Sequence, residues 1–190
     1  RRLANLFEIF LDGFGWRKSL LGHLGASEDH AEHVVEVMGH SAREPSDGFH
    51  LLGLAEPLLA LARSDQKLAH QVLGLRGYLQ CVQEDKRLNA GQKIAKVGEV
   101  RPLLKRPEET RLAISTLGSL PTWGAVEMLL SLAADPAVTE DAFSAIVGLA
   151  GRNLEGGSKD QIQKALQAVL EKSKEEATRK KAERILQGMK

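Results

Sequence analysis

Apolar residues return every three or four positions along almost the whole chain, and nowhere do they alternate with period two. Leu3, Leu6, Phe7, Phe10 and Leu11 form the first such stripe, and Ala31, Val34, Val35 and Met38 the second. Further stripes run through Leu51, Leu54, Leu58 and Leu61, then Val72, Leu75, Leu79 and Val82, then Ile94, Val97 and Leu104. Leu112, Leu117 and Leu120 follow, then Val126, Leu129, Leu130 and Ala133, then Phe143, Val147 and Ala150. The last two are Ile162, Leu166, Val169, Leu170 and Ala182, Ile185, Leu186, Met189. Each stripe is one apolar helix face, so the pattern predicts about ten short helices and no sheet.

Boundary residues punctuate the stripes. Pro107-Glu108-Glu109 reads as a helix start, because proline fits a first turn and acids there complement the helix dipole. Ser27-Glu28-Asp29 and Thr139-Glu140-Asp141 read as N-caps, and Ser158 with Gln161 as a capping box. Leu120-Pro121-Thr122 and Asp135-Pro136 read as turns, while residues 43–48 (REPSDG) and 151–157 (GRNLEGG) are the loosest-looking linkers.

Composition agrees with helix. Aromatic residues make up only 4% of the 190, and Leu, Ala, Glu, Lys and Gln dominate, leaving strands little to pack. Twenty-six basic against twenty-five acidic residues give a net charge of +1, so no global field draws the chain onto nucleic acid or anionic lipid. No apolar run approaches the roughly 18 residues of a membrane span, and no signal-peptide core is present. The lone Cys81 sits in an apolar run, which excludes an internal disulfide and favours a buried free thiol. The chain begins Arg1-Arg2 without Met and reads as a piece of a longer protein, which leaves both cytoplasm and periplasm open.

Laid over one another, GYLQCV (77–82), TLGSLP (116–121) and IVGLAG (146–151) each close a helix of like pattern. Another helix accompanies each, so helix pairs recur about every 30 to 40 residues, the scale of a helical solenoid. An irregular bundle would show similar stripes without the shared register.

Residues 107–150 resemble two consecutive HEAT-type repeats: Arg111 with Leu117-Gly118 matches the inner helix, Pro121-Thr122 the turn within a repeat and residues 135–138 (DPAV) the turn between repeats. Residues 55–82 resemble another unit, of the kind that flanks other domains in large bacterial multidomain proteins. Residues 1–45 depart from the pattern and read as a cap or the remnant of a preceding domain, with 46–190 as the array. The resemblance implies an all-α, right-handed α-α superhelix of the HEAT/armadillo kind. It also implies a non-catalytic scaffold that binds a protein partner along its inner helices and takes no cofactor. Arg76, Tyr78, Gln80, Arg111 and Ser115 are then the expected contact residues. Two other readings stand beside it: a HEAT-like nucleic-acid binder or DNA-glycosylase-like enzyme, which the near-neutral charge disfavours, and a spacer within a larger redox or hydrolytic protein.

Candidate chemistry changes this little. His30 and His33 are spaced i, i+3 and could hold a metal, but DHAEH lacks the HExxH spacing that would add a general base. GFGWRKS (13–19) lacks the glycine that a Walker loop places before its lysine; Trp16 with Arg17 could instead stack on a partner. Glu108-Glu109 and Glu140-Asp141 are paired carboxylates, but their first-turn positions already account for them. The run 172–181 (KSKEEATRKK) reads as a solvated face with pairs Glu175–Arg179 and Glu176–Lys180. No CxxCH is present, which excludes covalent haem.

Overall fold

The computed structural model describes residues 51–64 and 67–189. The expected helices within residues 1–45, and with them Trp16, Arg17, His30 and His33, lie outside the described residues. The described part is all-helical: α1 (Leu51–Arg63), α2 (Leu68–Glu84), α3 (Ala90–Val100), a 3-10 turn (Arg101–Leu103), α4 (Pro107–Gly118), α5 (Trp123–Leu132), α6 (Thr139–Ala150), α7 (Lys159–Lys172) and α8 (Glu176–Gly188). Every apolar stripe after residue 50 centres on one of these eight helices, with Leu120, Ala133 and Met189 just past the ends of α4, α5 and α8 and Leu104 just past the 3-10 turn.

The chain divides into two compact units between Gly74 and Leu75, inside α2. In the first, Ala55, Leu58, Leu59 and Ala62 of α1 are buried. Gly74 lets α2 cross α1 closely: a Cβ at that position would stand 2.6 Å from the Leu58 carbonyl oxygen and 2.7 Å from the Ala62 nitrogen. No side chain larger than hydrogen fits there without moving backbone. Ser64 and Gln71 tie the two helices further, the Gln71 Nε2 donating to the Ser64 carbonyl.

In the second unit α3, α4 and α6 each neighbour both the next helix and the next but one. α4, α5 and α6 pack on one another, as do α6, α7 and α8, and α3 packs on α4 and α5. Alternate helices run parallel. A Cβ on Gly124 of α5 would lie 3.4 Å from Ile94 Cδ1 of α3, and one on Gly98 of α3 would lie 3.3 Å from Met128 Cε of α5. Arg111 of α4 bonds Asp141 of α6, and Gly118 faces Ala145, so that pair too advances in step. α6 and α8 do the same, from Glu140 against Ser173 and Lys174 to Gly151 against Ile185. Tyr78, Leu79, Val100, Leu117, Leu129, Ile146, Leu149, Leu166 and Ala182 make the dry centre of this unit.

Local chemistry starts and stops the elements. Asn89 and Ser158 each form a complete capping box, with Gln92 and Gln161 answering to the cap backbone. Only the second was legible in advance. Pro107 opens α4 as expected, with Glu108 and Glu109 in its first turn. Thr139 departs from expectation: it is the first helical residue of α6 rather than its cap, because its hydroxyl is taken by the Ala133 and Asp135 carbonyls of the preceding turn, leaving Val138 to cap without a side-chain bond. The glycine-rich stretch 151–157 is also tighter than its composition suggests. Trp123 donates its backbone N–H to Glu155, and Glu155 donates back to Pro121, a parallel bridge between the loops that open α5 and α7. Gly156 supplies the left-handed turn beside it at φ 79°. Within the run 172–181, residues 173–175 form a turn between helices, with Ser173 buried. Glu176 pairs with Lys180 as expected, at 2.6 Å, while the Glu175 carboxylate accepts from Thr178.

Candidate functional site

The residues singled out as inner-face contacts divide between structural work and exposure. Arg76 donates from Nε to Glu109 Oε1 at 2.8 Å, and Glu109 is only 2% exposed, so the guanidinium neutralises a carboxylate sunk into the first turn of α4. Arg106 Nε stands 3.7 Å from the other Glu109 oxygen. Arg111 repeats the motif one step on, donating to Asp141 Oδ2 at 2.9 Å and to the Ala137 carbonyl at 3.2 Å, on the first turn of α6. Glu140 then receives the Ser173 hydroxyl at 2.6 Å and the Lys174 amide at 2.7 Å from the turn that leads into α8. Glu109, Glu140 and Asp141 therefore serve two ends at once: they complement the helix dipole and they bind a neighbouring helix or turn.

Tyr78 is wholly buried, so it serves the core rather than a surface. Its hydroxyl reaches the Lys96 carbonyl and Glu99 at 3.4 Å, and the Lys96 ammonium lies 5.9 Å from the ring centroid. Gln80 is half-buried and donates to Glu84 at 2.6 Å within α2. Ser115 is exposed on α4, one turn beyond Arg111. Cys81 is a buried free thiol; burial, with Glu84 and Asp85 nearby, pushes it up to about 11, which keeps it protonated and inert. Asp85 is held below the usual carboxylate range by the Arg87 side chain and amide, in the turn that joins α2 to α3. Among the described residues no group of His, Cys, Asp and Glu could hold a metal ion. No helix among them is long and apolar enough to cross a membrane.

One surface feature lies beyond the sequence reading. Between α6 and α8 runs a shallow groove of about 220 Å³, lined by Ser144, Val147 and Gly148 on one side and Thr178, Lys181, Arg184 and Ile185 on the other. Ser144, Gly148, Lys181 and Arg184 are exposed. The signal for Lys181 was masked by the mixed charges of the run around it, and Gly148 stood inside the quoted IVGLAG repeat without an assigned purpose.

No protein-family model, curated protein or solved structure matches the chain. Function is therefore read from geometry alone. Ser115 and Ser144 are exposed hydroxyls on separate helices, while Ser173 and Thr178 are buried hydroxyls that donate to Glu140 and Glu175.

Proposed function

We propose that this chain is a HEAT-like α-solenoid module, a scaffold that binds a protein partner on the surface made by α4, α6 and α8. The observation that carries the reading is the recurrent contact from one helix to the next but one or to the turn that opens it: Arg76 with Glu109, Arg111 with Asp141, Glu140 with Ser173. Helices of this series begin at residues 68, 107, 139 and 176, and the intervening series at 90, 123 and 159, a spacing that suits stacked helix pairs. A stack of pairs offers one long face assembled from equivalent helices, and such a face suits an extended partner. The exposed residues along it include the small Ser115, Ser144 and Gly148 of α4 and α6 and the charged face of α8.

Site-specific photo-crosslinking tests this. A photoreactive residue placed at Ser115 or Ser144 in cells that express the full protein gives a discrete crosslinked protein, while the same probe at Ala95 of α3 or Gln167 of α7 gives none. Crosslinks confined to the α3 and α7 positions, or none at any position, would sink the reading. The nucleic-acid alternative separates by a gel shift on duplex DNA at low salt, where the scaffold leaves the DNA unshifted.

A further inference from the structure

Gly148 lies in the last turn of α6, three residues before the Gly151 cap, where glycine still costs up to about 1 kcal/mol relative to alanine. Gly91 and Gly188, near helix ends, face little, whereas three helix glycines deeper in the packing meet neighbours. A Cβ at Gly74 would strike α1, and one at Gly98 or Gly124 would press on Met128 or Ile94. At Gly148 a Cβ would meet nothing within 4 Å among the described residues, and the position is exposed. Among the described residues, packing thus gives no reason for the missing side chain. What the missing side chain leaves is bare helix backbone in the floor of the α6–α8 groove, with Val147 and Ile185 supplying apolar surface beside it. Glycine placed this way permits close approach of another chain.

Charge specifies that chain. Lys181 and Arg184 line the α8 side of the groove, and neither has a hydrogen bond or ion pair among the described residues. Of the acids on α6 and α8, Glu140 is used by Ser173 and Lys174, Asp141 by Arg111 and Glu176 by Lys180, while Glu183, between the two cations on α8, makes no ion pair with either among the described residues. Two uncommitted cations beside a floor with apolar atoms suit carboxylates alternating with apolar side chains on one extended segment. A nucleic-acid backbone fits less well, since it presents phosphates without apolar side chains and calls for more cations than two.

We propose that the groove between α6 and α8 binds an acidic, apolar-interleaved peptide segment of a partner protein, its carboxylates on Lys181 and Arg184 and its backbone laid over Gly148. This rests on the scaffold reading and names its partner's chemistry. The test is fluorescence anisotropy on the full chain with a labelled octapeptide of alternating Glu and Leu. Alternating Lys and Leu, and a labelled DNA duplex, serve as comparisons.

The acidic peptide binds, more weakly as salt rises, and the basic peptide does not. The double variant K181E/R184E lowers affinity by about tenfold or more. Gly148→Leu closes the floor and lowers it comparably, while its melting temperature stays level or rises because the added side chain meets open space and improves helix propensity. Equal binding of both peptides, undiminished binding by either variant, or DNA binding lost in the same variants would overturn the groove assignment. None of these results removes the crosslinks expected at Ser115, so the scaffold reading fails or stands separately.

Discussion

Gly74 shows how a single position can invert an ordinary expectation. Glycine to alanine inside a helix normally stabilises by about 1 kcal/mol. Here the new methyl would sit 2.6 Å from the Leu58 carbonyl oxygen and 2.7 Å from the Ala62 nitrogen, both backbone and unable to rotate away. Gly74→Ala should therefore destabilise by about 1 to 3 kcal/mol in urea denaturation, and no loss would mean that α1 and α2 do not cross at this point. The arginines Arg76 and Arg111 separate in the same way. Arg76 serves a carboxylate that is 2% exposed, whereas Arg111 and Asp141 are 49% and 46% exposed. Arg76→Ala strands a buried charge and should cost about 2 kcal/mol, with Arg106 as partial replacement. Arg111→Ala should cost no more than about 1 kcal/mol, and less in high salt. Equal losses in thermal denaturation would contradict this ordering. Both arginines were visible in the sequence as residues of interest, but their partners were not, because Glu109 and Asp141 lie 33 and 30 residues further along and a lone chain carries no sign of which acid meets which base.

At the scale of elements, the first turn of α6 is fastened to the entry of α8 by one carboxylate. Burial alone would raise the pKa of Glu140, but the Ser173 hydroxyl and the Lys174 and Glu175 amides outweigh it and hold it below the usual carboxylate range. A depressed folded-state pKa means that this contribution is complete above the pKa of the unfolded chain and is lost as pH falls through the folded value. Wild type should lose stability on acidification below about pH 4.5, and Glu140→Gln should lose less over that interval while starting less stable at neutral pH. Parallel pH profiles for the two proteins would deny Glu140 this role. Helix extents were largely legible: Pro107 opened α4 and Ser158 with Gln161 capped α7 as their residue types dictate. The Thr139 cap failed because two carbonyls of the preceding turn compete for its hydroxyl, a tertiary outcome that local propensity does not contain. Tyr78 was misplaced for a related reason: a helical stripe shows which residues share a face, not whether a neighbouring helix, here α3 with Lys96 and Glu99, will cover its polar edge.

For the whole molecule, the repeat reading predicts divisibility. If each helix pair depends mainly on its neighbours, a chain ending at Gly156 should keep a cooperative thermal transition by circular dichroism, with lower solubility from the uncovered side of α6. A fragment with no cooperative transition would show one indivisible core and remove the basis of the scaffold proposal. The groove between α6 and α8 was the least legible feature, since its cations come from one charged run and its floor from a glycine whose lack of a packing reason among the described residues only three dimensions show. The backbone bridge from Pro121 and Trp123 to Glu155 carries a different consequence. Residues 151–157 have the composition that proteases favour, yet a protease must draw an extended segment into its cleft, and Glu155 can enter only after both of its hydrogen bonds to the α5 entry have opened. Limited proteolysis with a glutamate-specific enzyme should accordingly spare the Glu155 bond while cutting at exposed glutamates outside the bridge, and rapid cleavage there would mean that the loop opens freely in solution.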